Sequence, residues 1–291
     1  MMKLIVQKLK DYQQLGKLNL SLLVVFSSVI GYIIIPELEI TFWPLLWLTI
    51  GGFLVTISAN AMNEVIEIET DKKMKRTKYR PLPDSRMRSI EAILFSIIAL
   101  LMGLFIFFTK FNTLTAIVSL FSWLLYTVVY TPLKRISPIA VLIGAIPGSL
   151  PCLIGWIAGT NHMGSLAAWT LFIIQFFWQF PHFWAIAWIG HEDYTNAGMK
   201  MLPREGKVDK FTAFQCVLYS FVLIPLSALP MVVGLGSWIS FVGLFFGAGW
   251  LLYKSMLFYK NTSDHNARQV MFASFVYLPL ILITLLIDKY V

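Results

Sequence analysis

Long apolar stretches alternate with short polar ones along nearly the whole 291-residue chain. Each apolar stretch comes close to the roughly 20 residues that a helix needs to cross about 30 Å of hydrocarbon. The pattern predicts an all-α integral membrane protein, with residues 1–291 forming a single domain of about nine transmembrane helices. The predicted spans are Leu20–Ile35, Phe42–Ala59, Ala92–Phe108, Leu114–Tyr130, Ile139–Ile157, Ala167–Ile189, Phe211–Pro230, Trp238–Tyr253 and Val270–Ile287.

The composition supports lipid as the surrounding medium. Hydrophobic residues make up 58% of the chain and charged residues 13%, and the mean hydropathy is +0.74. A soluble domain of this length could not bury so many apolar side chains. Cys152 and Cys216 lie in or beside apolar segments, which indicates neither a disulfide framework nor a metal cluster.

The positions of lysine and arginine predict which way the bundle faces. With nine spans, 21 of the 23 basic residues fall on one side, and only Lys110 and Lys289 fall on the other. Because basic loops stay in the cytoplasm, we expect a cytoplasmic amino terminus in a cell inner (plasma) membrane. The net charge of +8 is then first a topology signal and second an attraction for anionic lipid or substrate, and it requires no nucleic acid.

Three oxygen-bearing side chains recur at four-residue intervals where the second span ends: Asn63, Glu67 and Asp71. On a helix this spacing places all three on one face. Mg²⁺ takes one or two protein oxygens and completes its shell with water and phosphate, so the set is a candidate metal–phosphate site. The alternative is an ordinary polar helix end. The neighbouring Glu64 and Glu69 are expected to point away into solvent.

Basic residues follow this motif and could bind phosphate. Arg76, Lys78 and Arg80 come directly after it, and Lys134 and Arg135 follow the fourth span. A guanidinium can donate two parallel hydrogen bonds to phosphate oxygens, which a solvated lysine cannot do. The alternative is that these residues only hold their loops in the cytoplasm.

The sixth span contains a second group of polar residues. Gln175, Gln179 and His182 lie within about 60° of one another around the helix, and polar groups inside a span usually face a cavity or a neighbouring helix. Glu192 and Asp193 follow in the next loop, on the same side as the first motif. A weak internal repeat, with two helix-end sites facing each other, is left open. The aromatic side chains nearby could line a pocket, but most are expected to face lipid: Trp178, Phe180, Phe183, Trp184 and Trp188.

The predicted spans contain essentially no Asp, Glu, Lys or Arg. Ion-coupled carriers usually keep an ionisable group near the membrane midplane. The pattern therefore favours chemistry at one membrane face over transport, although a carrier of neutral solutes stays open.

These residues resemble the intramembrane UbiA-type prenyltransferases, which make ubiquinone, menaquinone and related lipids. The family's first motif has an Asn and two Asp at four-residue spacing, followed by M-x-R-T-x-x-R-P, and it matches Asn63, Glu67, Asp71, Met74, Arg76, Thr77, Arg80 and Pro81. Four further stretches are similar to the heme-farnesylating branch: YTPLKR (130–135), GAIPGSLPCLIGW (144–156), PHFWAIAW (181–188) and EDYTNAGMKMLP (192–203). Two departures are that Glu67 stands where the family usually has Asp, and that the second loop lacks a complete D-x-x-x-D.

The resemblance implies a Mg²⁺-dependent enzyme in the lipid bilayer that transfers the farnesyl group of farnesyl diphosphate to a vinyl group of protoheme IX. The products would be heme O and diphosphate, and a downstream heme-modifying enzyme or oxidase assembly factor would be a partner. The implied catalytic residues are Asn63, Glu67, Asp71 and Asp193, with Glu192 as a further metal ligand. The implied diphosphate-binding residues are Arg76, Lys78, Arg80, Lys134 and Arg135, and the implied acceptor pocket contains Tyr130, Gln179 and His182. An aromatic quinone precursor as acceptor is the alternative within the family, and a non-enzymatic membrane carrier is the alternative outside it.

Overall fold

A computed structural model describes residues 2–291, with side chains from residue 5 onward. Every regular element within those residues is helical, which confirms the all-α prediction. A π-helical segment, Leu125–Tyr130, joins α6 to α7. The α-helices are α1 (Met2–Leu15), α2 (Leu18–Ile33), α3 (Phe42–Ile66), α4 (Ile68–Asp71), α5 (Ser89–Lys110), α6 (Thr113–Leu124), α7 (Thr131–Leu133), α8 (Ala140–Thr160), α9 (Leu166–Ile189), α10 (His191–Asn196), α11 (Pro203–Gly206), α12 (Lys210–Leu226), α13 (Leu229–Val232), α14 (Trp238–Lys260) and α15 (Asp264–Tyr290).

Helices cover most of each of the nine predicted apolar segments. In the described part of the chain, seven helices are long and apolar enough to cross a membrane, and α1 with α2 forms an eighth candidate as a pair bent by 49°. Helix α9 is 24 residues long but is not among the seven, and it carries the polar Gln175, Gln179 and His182. The count of nine spans and the orientation of the amino terminus therefore stay predictions.

Helix α8 lies at the centre of the bundle and is buried along most of its length. It packs against α2 and α6 on one side and against α9 on the other, while α9 also contacts α12 and α15. Gly31 and Gly155 permit the close contact with α2, because a Cβ at either position would overlap the backbone of the partner helix. A cavity is lined by residues of α2, α3, α6, α8, α9 and α15.

The second predicted span is extended and then broken. Helix α3 continues to Ile66, seven residues beyond the apolar segment, and Glu67 leaves the helical conformation with φ −98° and ψ 8°. Helix α4 starts directly after this residue, and the Asp71 N–H still donates to the Glu67 carbonyl at 2.7 Å. The first motif is therefore not carried by one straight helix.

The amino-terminal segment, predicted only as a basic tail, is helical. Helix α1 is bent away from α2 and packs over the ends of α3 and α5, where Leu15 is fully buried. Its other partners in this small cluster are Ala61, Leu82, Met87 and Ala92. The packing places the junction between α1 and α2 beside the first polar motif.

Candidate active site

Three carboxylates at the junction of α3 and α4 are almost completely buried. Glu64, Glu67 and Asp71 are 0%, 4% and 0% exposed, respectively. The prediction that Glu64 points into solvent is therefore wrong, whereas Glu69 is exposed and pairs with Lys72 at 2.6 Å. Buried carboxylates need charged or hydrogen-bonding partners, and two basic side chains reach these three.

Lys134 is the partner of Glu67. Its Nζ donates to Glu67 Oε1 at 2.8 Å, while Asn63 Nδ2 donates to Glu67 Oε2 at 2.8 Å. Burial by itself raises the pKa of Glu67, but the charge and hydrogen bond of Lys134 outweigh it and hold that pKa below its usual value. Likewise, burial lowers the pKa of Lys134, but the Glu67 carboxylate outweighs burial and raises it. Both groups are therefore charged at neutral pH.

Arg80 joins the other two carboxylates. It donates from Nη1 to Asp71 Oδ2 at 2.8 Å, and its Nε lies 3.6 Å from Glu64 Oε1. Burial opposes its charge, but Asp71 and Glu64 together raise the pKa of Arg80. The loop after α4 thus folds back so that a guanidinium neutralises the helix end.

The other predicted phosphate-binding residues lie further out. Arg135 is exposed and donates to the Ile66 carbonyl at 3.0 Å, so it reaches the edge of the cluster. Arg76 is exposed, with Nη2 3.4 Å from the Tyr194 hydroxyl in the second loop. Lys78 is also exposed and lies over the Tyr79 ring. The structure therefore brings Arg80, Lys134 and Arg135 to the motif and leaves Arg76 and Lys78 outside it.

The two acidic loops contact each other. The carboxylate of Asp193 accepts from the backbone N–H of Lys75 at 3.0 Å and from that of Arg76 at 3.3 Å. Glu192 pairs with the Lys75 ammonium at 2.8 Å. The internal-repeat hypothesis predicts two helix-end sites that face each other, and these contacts agree with it. An origin by duplication stays a hypothesis.

A mainly apolar cavity of about 310 Å³ begins beside the charged cluster. The π-helical segment directs Tyr126 and Tyr130 into its wall, and the Lys134 ammonium lies 4.6 Å from the centre of the Tyr130 ring. Gln179 and His182 also line it. All three predicted acceptor-pocket residues therefore face the same space, next to the carboxylate cluster.

The polar side chains of the cavity wall differ in how well they are paired. Gln179 donates to Ser149 Oγ at 2.8 Å, and His182 Nδ1 lies 2.9 Å from Ser274 Oγ. Three other polar atoms in the wall are buried and have no hydrogen-bond partner in the described part of the chain: Ser28 Oγ, Ser119 Oγ and Gln175 Oε1.

The aromatic residues of α9 lie inside the bundle, contrary to the expectation that most face lipid. Trp178 and Phe183 line the cavity. Phe180, Trp184 and Trp188 are 2%, 7% and 6% exposed. Helix α9 is enclosed by α8, α12 and α15, so little of its surface remains for lipid.

Comparison with known proteins identifies the family of this fold and site. The model of the UbiA prenyltransferase family matches residues 24–276, which include the charged cluster and most of the cavity wall. The chain belongs to the UbiA prenyltransferase family.

Several relatives that match nearly the whole chain share one name. The protoheme IX farnesyltransferase of Cytophaga hutchinsonii is 43% identical over 280 residues, covering 96% of this chain and 97% of that protein. The protoheme IX farnesyltransferase of Flavobacterium psychrophilum is 42% identical over 286 residues, covering 96% and 94%. The resemblance noted from the sequence motifs is thereby confirmed.

Solved structures of UbiA-type proteins share the fold. A structure of digeranylgeranylglyceryl phosphate synthase superposes with a TM-score of 0.80 at 21% identity, covering 97% of this chain and 99% of that one. A UbiA homolog from Archaeoglobus fulgidus bound to GPP and Mg²⁺ gives a TM-score of 0.64 at 12% identity, covering 94% and 99%. At these identities the likeness concerns the fold alone.

Three carboxylate oxygens in the cluster are left without a hydrogen-bond donor among the described residues and are therefore available as ligands for a divalent cation. Both oxygens of Glu64 and Oδ1 of Asp71 are buried and have no hydrogen-bond partner within residues 2–291. By contrast, the amide oxygen of Asn63 accepts from Lys17 Nζ at 2.7 Å. No three His, Cys, Asp or Glu side chains of the described residues form a ready metal cage. Two carboxylates with substrate phosphate and water are nevertheless what Mg²⁺ prefers.

Sequence reasoning missed two members of this site. Glu64 was assigned to solvent, yet its seven-residue spacing from Asp71 corresponds to two helical turns and could have indicated a shared face. Lys17 was counted only as a topology charge. Its place in the site depends on the bend between α1 and α2, for which the hydropathy pattern gave no signal.

Proposed function

We propose that this chain transfers the farnesyl group of farnesyl diphosphate to a vinyl group of protoheme IX, giving heme O. The observation that carries the proposal is the near-complete coverage by UbiA-family relatives named protoheme IX farnesyltransferase. The buried charge cluster beside an apolar cavity supports it, because the donor has an anionic head and a hydrocarbon tail.

The reaction is balanced, with water as the only reactant besides farnesyl diphosphate and protoheme IX. The C–O bond between farnesyl C1 and diphosphate breaks, and its electron pair leaves with the diphosphate. The vinyl π pair forms the new C–C bond to C1, which leaves a carbocation on the other vinyl carbon. Water adds to that carbon and loses a proton, giving the hydroxyethylfarnesyl group.

The residues of the cluster would act on the leaving group. Arg80 and Lys134 would donate to the diphosphate as its negative charge grows, with Arg135 at the edge. Mg²⁺, when bound, would supply charge neutralisation on the diphosphate. Asp71 and Glu64 offer the free oxygens that would hold it.

The remaining predicted ligands are engaged with other partners. Asn63 and Glu67 are bonded to Lys17 and Lys134, and Glu192 and Asp193 to the first loop. They would take part as metal ligands only by exchanging these partners. Asp193 would hold the two loops together around the substrate.

The cavity would house the acceptor and the farnesyl chain. Its mainly apolar wall would exclude bulk water, so that the allylic carbocation meets the vinyl group first. Tyr130, Gln179 and His182 are the wall residues we assign to the acceptor. The distribution of basic residues supports a site that faces the cytoplasm of the plasma membrane, from which heme O would pass to a heme-modifying enzyme or oxidase assembly factor.

A choice of acceptors tests the proposal. The purified protein in lipid nanodiscs would be given farnesyl diphosphate, Mg²⁺ and either heme b or 4-hydroxybenzoate, and the products measured by mass spectrometry. We expect hydroxyethylfarnesyl heme from the first mixture, and none when Mg²⁺ is removed with a chelator. Farnesylated 4-hydroxybenzoate without a heme product would indicate the quinone-precursor alternative, and no product from either mixture would favour a carrier.

A further inference from the structure

A further basic side chain reaches the first motif from the amino-terminal side. Lys17 lies between α1 and α2 with φ 47° and ψ 56°, a left-handed conformation that residues other than glycine rarely adopt. Such a conformation persists only where the surroundings hold it, and it is found preferentially at functional sites.

Hydrogen bonds from α2 and α3 fix this bend. The carbonyl of Gly16 accepts from Ser21 Oγ at 2.8 Å and from Asn60 Nδ2 at 3.2 Å. Asn60 lies one helical turn before Asn63 on α3. The backbone at Lys17 is therefore positioned by the same helix that carries the first motif.

Helix α1 is also fastened to the start of α5 and to the loop that precedes α5. The Tyr12 hydroxyl and the Lys8 ammonium donate to Glu91 at 2.8 and 2.9 Å. Asp11 is 2% exposed and pairs with Arg86. Lys17 is thus held from both sides, so the bend is a built feature of the bundle.

The result is an ammonium group aimed at the catalytic motif. Lys17 Nζ donates to Asn63 Oδ1 at 2.7 Å, and Asn63 in turn donates to Glu67, which pairs with Lys134. Two ammonium groups therefore flank the Asn63–Glu67 pair. A lysine that only fixed the membrane topology would need no such contact and could remain exposed. Lys10 on α1 is an example of such an exposed lysine.

We propose that Lys17 is a further diphosphate-binding residue, an inference that rests on the proposed function. When the anionic head of a prenyl diphosphate enters, the Lys17 ammonium exchanges the neutral amide oxygen of Asn63 for a phosphate oxygen. The exchange is favourable because a hydrogen bond to an ionised acceptor is stronger than one to an amide. It also frees the Asn63 carbonyl oxygen to act as a ligand.

Direct binding of inorganic diphosphate tests this assignment without heme or turnover. Dissociation constants would be measured by calorimetry in detergent with Mg²⁺ for the wild type, Lys17→Met, Lys17→Gln and Lys17→Arg. Lys10→Met on the same helix is the matched control. We expect Lys17→Met and Lys17→Gln to bind diphosphate about 10- to 100-fold more weakly, as for loss of one charge-assisted hydrogen bond. Lys17→Arg should recover part of the affinity, and Lys10→Met should bind like the wild type.

Steady-state kinetics separates binding from a structural role. The KM for farnesyl diphosphate should rise by a similar factor in Lys17→Gln, with a much smaller change in kcat and an unchanged thermal midpoint without ligand. Glutamine retains a donor for Asn63, so this variant keeps the test valid if Lys17→Met does not fold. Wild-type affinity for diphosphate in folded Lys17→Gln would overturn the assignment. If the wild type binds diphosphate but does not alkylate heme, the proposed function fails while the Lys17 comparison still stands.

Discussion

The two acidic loops carry the same chemical groups in opposite environments. Where α3 ends and the first loop begins, Glu67 and Asp71 are 4% and 0% exposed and each has a basic partner. In the second, the Glu192 side chain is 73% exposed, and Asp193 accepts from the backbone N–H groups of Lys75 and Arg76. A buried carboxylate that loses its partner is strongly destabilised, whereas an exposed pair contributes little. The first loop should therefore dominate both stability and catalysis.

Removing the partner of a buried carboxylate should have the largest effect. Lys134→Met leaves Glu67 charged and unpaired, so the free energy of unfolding should fall by about 3 kcal/mol. Reversible unfolding in mixed micelles would measure it. The exposed Lys207→Met is the control, and equal stability of the two variants would contradict a buried ion pair.

Asp71→Asn should reduce heme farnesylation by about 10²-fold. The change removes a charged oxygen from the cluster while keeping the size of the side chain, and about 10²-fold is the scale for loss of one electrostatic stabiliser. Initial rates with saturating Mg²⁺ would measure the effect. Turnover close to that of the wild type would refute the assignment of Asp71 as a metal ligand.

Acid should abolish the contribution of Glu67, whose pKa is below its usual value in the folded protein. A carboxylate with a depressed folded pKa stabilises the protein above its unfolded pKa of about 4.3, and this stabilisation is lost as the pH falls through the folded value. Lys134 has a raised pKa in the folded protein. Its contribution to stability is therefore present below its unfolded pKa of about 10.4 and is lost only as the pH rises through its folded pKa.

The difference in stability between the wild type and Glu67→Gln should therefore be largest near neutral pH and shrink toward zero in acid. Thermal midpoints of the two proteins from neutral to acidic pH would show it. A difference that widens on acidification would mean that Glu67 is not ionised in the fold.

The second loop should give the smallest effects. Asp193→Asn weakens two backbone hydrogen bonds between the loops, and we expect turnover to fall by about tenfold or less. Glu192→Gln should change turnover by less than about twofold, because its pair with Lys75 is exposed. A loss in Glu192→Gln as large as that in Asp71→Asn would show that the second loop carries a metal ligand after all.

The sequence predicted the helices better than the site. Apolar runs as long as Ala167–Ile189 determine a helix almost by themselves, and α9 differs from that prediction by one residue at its start. Glu64 and Lys17 could not be placed in this way. Their burial depends on how α1 and the loop containing Arg80 fold over the end of α3, which are contacts between segments distant in sequence.

The unpaired polar atoms in the cavity wall have a consequence for competition with the bilayer. Saturated acyl chains in the space beside Ser119 and Gln175 would keep water from the unpaired side-chain oxygens of these two residues. Leaving such a buried polar atom without a hydrogen bond costs about 1–3 kcal/mol per group. A retained water, or a guest that carries a polar edge, can satisfy the same atoms. Phospholipid tails are thus poor occupants of a space that their own hydrophobicity would otherwise favour.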